Sequence, residues 1–235
     1  MLAVVTGASR GIGRLLVERL IKKGYQVVGI ARSREALEEL KARFGGSFEY
    51  VVLDLAQNGA EREVKKALEE LGVDKVDLLI NNAGFAIKKP LLEHGEEELQ
   101  KLFRVLTISP VLMTKELLPL MQSGSKVVMV LSGVAFVRTP EMSAYGAAKA
   151  ALHYLSLTLS EELRENGIKV IRIYPKQVAT PFWDKTPKGA ISPEQVADAI
   201  IKAIENGREE VFVPGYIKVA KYLPRWPALT YRFEF

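Results

Sequence analysis

Apolar residues in this chain fall into short unbroken runs. Between the runs they recur every three or four positions. A run without polar alternation reads as a strand buried on both faces, and the recurrence reads as an amphipathic helix. On this rule the spacing predicts strands over Leu2–Thr6, Gln26–Ala31, Phe48–Leu53, Asp77–Ile80, Lys126–Leu131, Ile168–Tyr174 and Glu210–Val213. It predicts helices over Gly11–Lys23, Arg34–Phe44, Glu61–Leu71, Glu96–Leu106, Val111–Met121, Ser143–Glu165 and Pro193–Glu205. Gly24 and Gly45-Gly46 stop the first two helices, and Ser192 with Pro193 opens the last. Strands that alternate with helices imply an α/β, doubly wound parallel sheet of six to seven strands with helices on both faces. No repeat, low-complexity run or linker divides residues 1–235, so one domain is expected.

Composition narrows the chemistry. The chain is 48% hydrophobic and carries a formal net charge of +5. Its cations are dispersed and not interleaved with aromatics, which argues against nucleic acid. With no cysteine and two distant histidines, His94 and His153, thiolate catalysis is excluded and no metal is expected. His153 reads as a packed histidine. The N-terminal MLAVVTGASR enters a strand at once, and no apolar run is long enough to span a bilayer, so a cytoplasmic protein is expected.

Two places carry candidate chemistry. Thr6-Gly7-Ala8-Ser9-Arg10-Gly11-Ile12-Gly13 joins the first strand to the first helix. Gly7 suits a tight turn, Gly11 a close approach to pyrophosphate, and Gly13 close packing of helix on strand. The helix N-terminus offers free N–H groups to phosphate. About twenty residues on, where NAD sites carry an acid, stand Ala31, Arg32 and Ser33. Arg32 with Arg10 suits a 2′-phosphate, so NADP(H) is expected in preference to NAD(H). The bland alternative is that Arg32 and Arg34 are solvated surface charges. The second place is Tyr145, four residues before Lys149, on one face of the long helix. A neighbouring ammonium lowers the pKa of a phenol. Alone, such a pair is most often a surface pair. Here Ser132 ends the fifth strand thirteen residues earlier, at the sheet edge where ligands bind.

On TGASRGIG, on Asn81-Asn82-Ala83-Gly84, on Ser132 and on Tyr145-Gly146-Ala147-Ala148-Lys149, the chain resembles the short-chain dehydrogenase/reductase family over almost its whole length. The resemblance implies a Rossmann-type fold, homodimers or homotetramers, and hydride transfer between a nicotinamide and a carbonyl or alcohol substrate. It implies that Ser132 orients the substrate oxygen and Tyr145 exchanges its proton. Lys149 would lower the tyrosine pKa and hold the nicotinamide ribose. The cofactor would also meet Gly7, Ser9, Arg10, Gly11, Ile12, Gly13, Arg32, Ser33, Asp54, Leu55, Asn82, Ala83, Gly84, Pro175, Val178 and Thr180.

Two positions depart from the family pattern. Leu106 stands where the family commonly has an asparagine supporting a water chain to the lysine, with Thr107 or water as substitutes and Pro110 disturbing the helix. Lys176 replaces the glycine after the sixth strand, so φ > 0 is not freely available there. A rim role and a substrate-binding role remain open for it. These departures keep alive a non-catalytic NADP-binding protein. The span 180–192 reads as a short substrate lid over a shallow pocket, with Phe85, Phe136, Val137, Phe182 and Trp183 as wall candidates. The aromatic, basic tail at 214–235 reads as packing on the domain or a partner subunit, then as a lid. A third reading is membrane contact, with reduction of lipid-like carbonyls.

Overall fold

The computed structural model describes residues 1–222 except Asp184, together with Thr230, Arg232 and Glu234. Its strands are β1 (Leu2–Thr6), β2 (Gln26–Ala31), β3 (Phe48–Val52), β4 (Leu78–Asn81), β5 (Lys126–Val130), β6 (Lys169–Pro175) and β7 (Glu210–Val213). Its helices are α1 (Gly11–Lys22), α2 (Arg34–Phe44), α3 (Ala60–Glu70), α4 (Glu96–Phe103), α5 (Ser109–Leu117), α6 (Ser143–Arg164) and α7 (Pro193–Asn206). The seven strands form one sheet in the order β3-β2-β1-β4-β5-β6-β7, with every pairing parallel. The order reverses direction between β1 and β4, so a crevice opens at their carboxyl ends.

Two apolar cores sandwich the sheet. Val5, Leu16, Leu20, Ile80, Ile171 and Ile200 belong to one, and Val4, Val64, Leu79, Met113, Leu117 and Leu152 to the other. Val4 and Val5 point to opposite faces, as strand geometry demands, and both are fully buried. This is why the strands read as unbroken apolar runs. No helix among the described residues is long and apolar enough to cross a membrane.

The two helices after β4 differ from the reading. They are one continuous helical path with a π-turn at Arg104–Ile108 inside it. Pro110 is the cause that chemistry supplies. In a regular helix its ring would press on the carbonyl of Leu106, four residues back. Widening the turn relieves that contact and leaves Pro110 at the start of α5, where a missing N–H costs little. A buried ion pair clamps the turn from outside. Arg104 donates to Glu61 Oε2 at 2.6 Å and to the Gln57 carbonyl at 3.0 Å. Asn81 ties it from inside, donating to the Pro110 carbonyl at 3.3 Å.

A buried pair gains little net stability, but losing one member strands a charge. Arg104→Ala is therefore expected to destabilise the protein by roughly 3–5 kcal/mol in urea unfolding. The double change Glu61→Leu with Arg104→Leu should recover most of that loss; equal instability of the single and double variants would contradict the clamp.

Candidate active site

The glycine loop after β1 is tight for a stated reason. Gly7 has φ +68°, and a Cβ there would lie 2.9 Å from the Ala83 Cα. A Cβ on Gly13 would lie 2.0 Å from the Gly7 carbonyl oxygen. The loop is thus folded against itself and against the segment following β4. Thr6 stitches the two: its hydroxyl accepts from Asn82 and Ala83 N–H, each at 3.0 Å. The Asn82 amide donates to the Thr6 carbonyl at 3.0 Å. Its side chain is therefore spent on scaffold. The N-terminus of α1 carries no side-chain cap and no acid in its first turn, so free N–H groups face outward.

These elements floor a cleft of about 540 Å³ along the carboxyl edge of the sheet. At one end it is lined by Arg10, Ile30, Arg32, Asp54, Leu55, Lys101 and Val105. Arg32 and Asp54 face each other at 3.9 Å, and Asp54 accepts from the Ala56 N–H. At the other end lie Ser132, Tyr145, Lys149, Phe182, Trp183 and Ile217. Gly7, Ser9, Gly11, Ile12, Asn82, Ala83, Gly84, Pro175, Val178 and Thr180 also line the cleft. Ser33 does not; its hydroxyl accepts from the Ala36 N–H and caps α2. Gly13 acts only through the packing just described. The Cβ-free cradle, the uncapped helix end and the flanking Arg10 and Arg32 fit a phosphate-bearing dinucleotide.

The reacting end is dry. Tyr145 and Lys149 are both buried, and the Lys149 Nζ lies 6.0 Å from the Tyr145 ring centre. Lys149 donates to the Val130 carbonyl at 2.7 Å. Burial pushes the Tyr145 hydroxyl up to about 12, against a smaller lowering by its hydrogen bond with Ser132. Burial pulls the Lys149 ammonium down to about 8. Loss of solvent outweighs the Ser132 hydrogen bond, so the phenol holds its proton in the cofactor-free protein.

Leu106 is fully buried beside Gly84 and packs in the cluster that holds Tyr145 and Ala148. Thr107 does not face the lysine; its hydroxyl donates to the Ala148 carbonyl at 2.9 Å. Lys176 needs no left-handed backbone, since every positive φ among the described residues belongs to glycine. Phe182 meets Tyr145 edge-on at 5.6 Å, and Trp183 donates to the Val178 carbonyl at 3.0 Å. Phe85 and Val137 also line the cleft. Phe136 is not a wall residue; it packs against His153, Tyr174 and Phe212. His153 is correspondingly packed, bonded to the Tyr174 hydroxyl at 2.8 Å.

Sequence reasoning missed several walls. Lys101 and Val105 stand four apart on the helical path, a spacing that places both on one face. Tyr216, Ile217, Val219 and Ala220 come from the short helix Gly215–Lys221, so the first part of the tail both packs on the domain and walls the cleft. Beyond it, Thr230 pairs with Arg138, and the Lys188 N–H donates to the Glu234 carbonyl at 2.7 Å. The rest of the tail reading, at 223–229, 231, 233 and 235, lies outside the described residues.

Comparison with known proteins agrees with this geometry. The family model for short chain dehydrogenases matches residues 1–190. A fatty acyl-CoA reductase of Acinetobacter baylyi is 31% identical over 97% of this chain and 78% of its own length. A short-chain dehydrogenase of Burkholderia cenocepacia, solved in complex with NADP, superposes with a TM-score of 0.84 at 28% identity, covering 96% of this chain and 94% of that one. A relative from Burkholderia phymatum, solved with NAD, gives a TM-score of 0.84 at 22% identity over 94% and 91%.

A lysine held near 8 when folded and near 10.5 when unfolded binds fewer protons in the native state between those values. Its folded pKa is depressed, so burial costs stability below about pH 8, and the cost fades as pH rises towards 10.5. Urea unfolding of the cofactor-free protein should therefore show Lys149 contributing a rise of up to about 3 kcal/mol across that window. Lys149→Met should remove the rise; an unchanged pH slope in the variant would contradict a desolvated lysine.

Proposed function

The chain belongs to the short-chain dehydrogenase/reductase family of oxidoreductases, and on that premise we propose that it is an NADP(H)-dependent carbonyl reductase or alcohol dehydrogenase. The observation that carries the reading is the buried Ser132–Tyr145–Lys149 group at one end of a cleft whose other end presents Arg10 and Arg32. The α1 N–H groups and Thr180 would hold the pyrophosphate, and Arg10 with Arg32 the 2′-phosphate. Ile30, Leu55 and Val105 would flank the adenine. When bound, the nicotinamide supplies or accepts the hydride.

The protein's own part is the proton and its direction. The Ser132 hydroxyl hydrogen-bonds the substrate oxygen and holds it against Tyr145. The Tyr145 hydroxyl gives its proton to that oxygen in reduction and takes it back in oxidation. Lys149 sits beneath the phenol and stabilises the phenolate left behind. Phe182, Trp183 and Ile217 keep water off the reacting carbon, and their apolar faces suit a substrate with a hydrocarbon chain. The similarity to a fatty acyl-CoA reductase supports that class. Tyr154, Leu155 and Leu157, exposed on α6, support assembly into a homodimer or homotetramer.

NADPH consumption with medium-chain aldehydes and ketones tests the reading. Tyr145→Phe should lower kcat by about 10²–10⁴-fold while cofactor affinity stays. Arg32→Asp should raise KM for NADPH about tenfold and improve use of NADH. No turnover with any carbonyl, together with tight NADPH binding, would favour a non-catalytic binding protein instead.

A second reading adds a lipid surface. Tyr216, Val219 and, just past the helix end, Tyr222 are exposed, at 65%, 59% and 67%, so Tyr216 and Val219 sit at the rim of the cleft they line. Lys218 stands beside them, a pattern suited to an anionic bilayer interface, while Lys221 pairs with Glu210 at 2.6 Å. Co-sedimentation with anionic vesicles should be lost when Val219 and Tyr222 are changed to Ser; pelleting that ignores either the vesicles or the change would contradict the docking.

A further inference from the structure

The substrate end of the cleft contains a cation that the chemistry above does not use. Lys176 follows β6 directly, is half-buried, and lines the cleft. Its backbone is fixed, because its N–H donates to the Val213 carbonyl at 2.8 Å. The ammonium lies 3.4 Å from the Tyr216 hydroxyl. It also stands 3.6 Å from the point where a Cβ on Gly189 would fall, so it sits between the walling segment Gly215–Lys221 and the lid. That segment is seated by Ile217, which packs 3.2 Å from where a Cβ on Gly133 would fall.

Among the described residues, no carboxylate pairs with Lys176. Asp54 is the one carboxylate among the described lining residues, and it faces Arg32 at the opposite end. Apolar walls on the substrate side include Phe85, Val134, Val137, Phe182, Trp183 and Ile217, with Gln177 beside the lysine. The ammonium thus stands at the cleft with a phenol beside it and no paired carboxylate among the described residues, free to meet an anion. The ammonium donates to the phenol oxygen, and both groups line the cleft with donor hydrogens still available.

We propose that Lys176, with the Tyr216 hydroxyl, recognises an anionic group on the substrate. The substrate is then a carbonyl compound, or its alcohol, with an apolar body and a carboxylate or phosphate. This rests on the reading of Tyr145 as the proton donor. Lys176 selects the substrate and takes no part in the proton transfer.

Three ketones test the assignment: a medium-chain keto acid, its methyl ester, and the same ketone ending in a phosphate monoester. With the native protein, KM for the keto acid or the phosphate ketone should be about tenfold below that for the ester. Which anion is favoured identifies the source of the charge. Lys176→Met should raise that KM about tenfold with kcat held, and Tyr216→Phe should raise it by less. Equal KM values for acid, phosphate and ester in the native protein would overturn the proposal. So would a Lys176→Met effect confined to KM for NADPH, which would give the lysine to the cofactor. If no ketone is reduced, the proposed function fails, and direct binding decides the role of Lys176. Quenching of tryptophan fluorescence by the keto acid should then weaken about tenfold in Lys176→Met, and quenching that is the same in both proteins would overturn it.

Discussion

The site depends on an ammonium held in the protein interior. Lys149 lies beneath Tyr145 on α6, and its charge is met by the Val130 carbonyl at the end of β5. That bond joins the long helix to the sheet edge where Ser132 follows. It leaves a cation and a phenol buried side by side at the end of the cleft. Free tyrosine and lysine lose their protons at nearly the same pH. Here burial separates them, to about 12 and about 8. In the cofactor-free protein the phenol holds its proton, with Ser132 bonded to it.

The rest of the fold serves that placement. The parallel sheet ends its strands at one edge, and the reversal between β1 and β4 opens the crevice there. Thr6 and Asn82 lock the glycine loop to the segment after β4. The π-turn at Arg104–Ile108, clamped by Glu61 and by Asn81, presses Leu106 towards Gly84 and the Tyr145 cluster. An apolar side chain where the family commonly has an asparagine therefore contributes packing. A proton route past Leu106 would need backbone or solvent.

Much of this was legible in the sequence because it rests on local pattern. Unbroken apolar runs gave the strands, and the glycine spacing gave the loop. The four-residue interval placed Tyr145 and Lys149 on one face of α6. What escaped depends on distant partners or on solvent exclusion. No local pattern says that Pro110 would be accommodated by a π-turn, or that Arg104 would find Glu61. Ser33 was read as a cofactor contact, but a serine before a helix is equally a cap, and its hydroxyl caps α2. Phe136 was read as a wall residue, yet the turn after Ser132 sends it into the aromatic core and leaves Val134 in the cleft. The upward push of burial on Tyr145 was not legible either, because charge can be read from residue type, whereas burial cannot.

The most direct measurement is a nuclear magnetic resonance titration of the cofactor-free protein with carbon-labelled lysine. One lysine signal should titrate with a midpoint near 8, well below the others, and that signal should be missing in Lys149→Met. A native protein in which every lysine titrates near the ordinary value of about 10.4 would contradict the account. It would mean that the cation beneath Tyr145 is solvated and that the dry acid site described here does not exist.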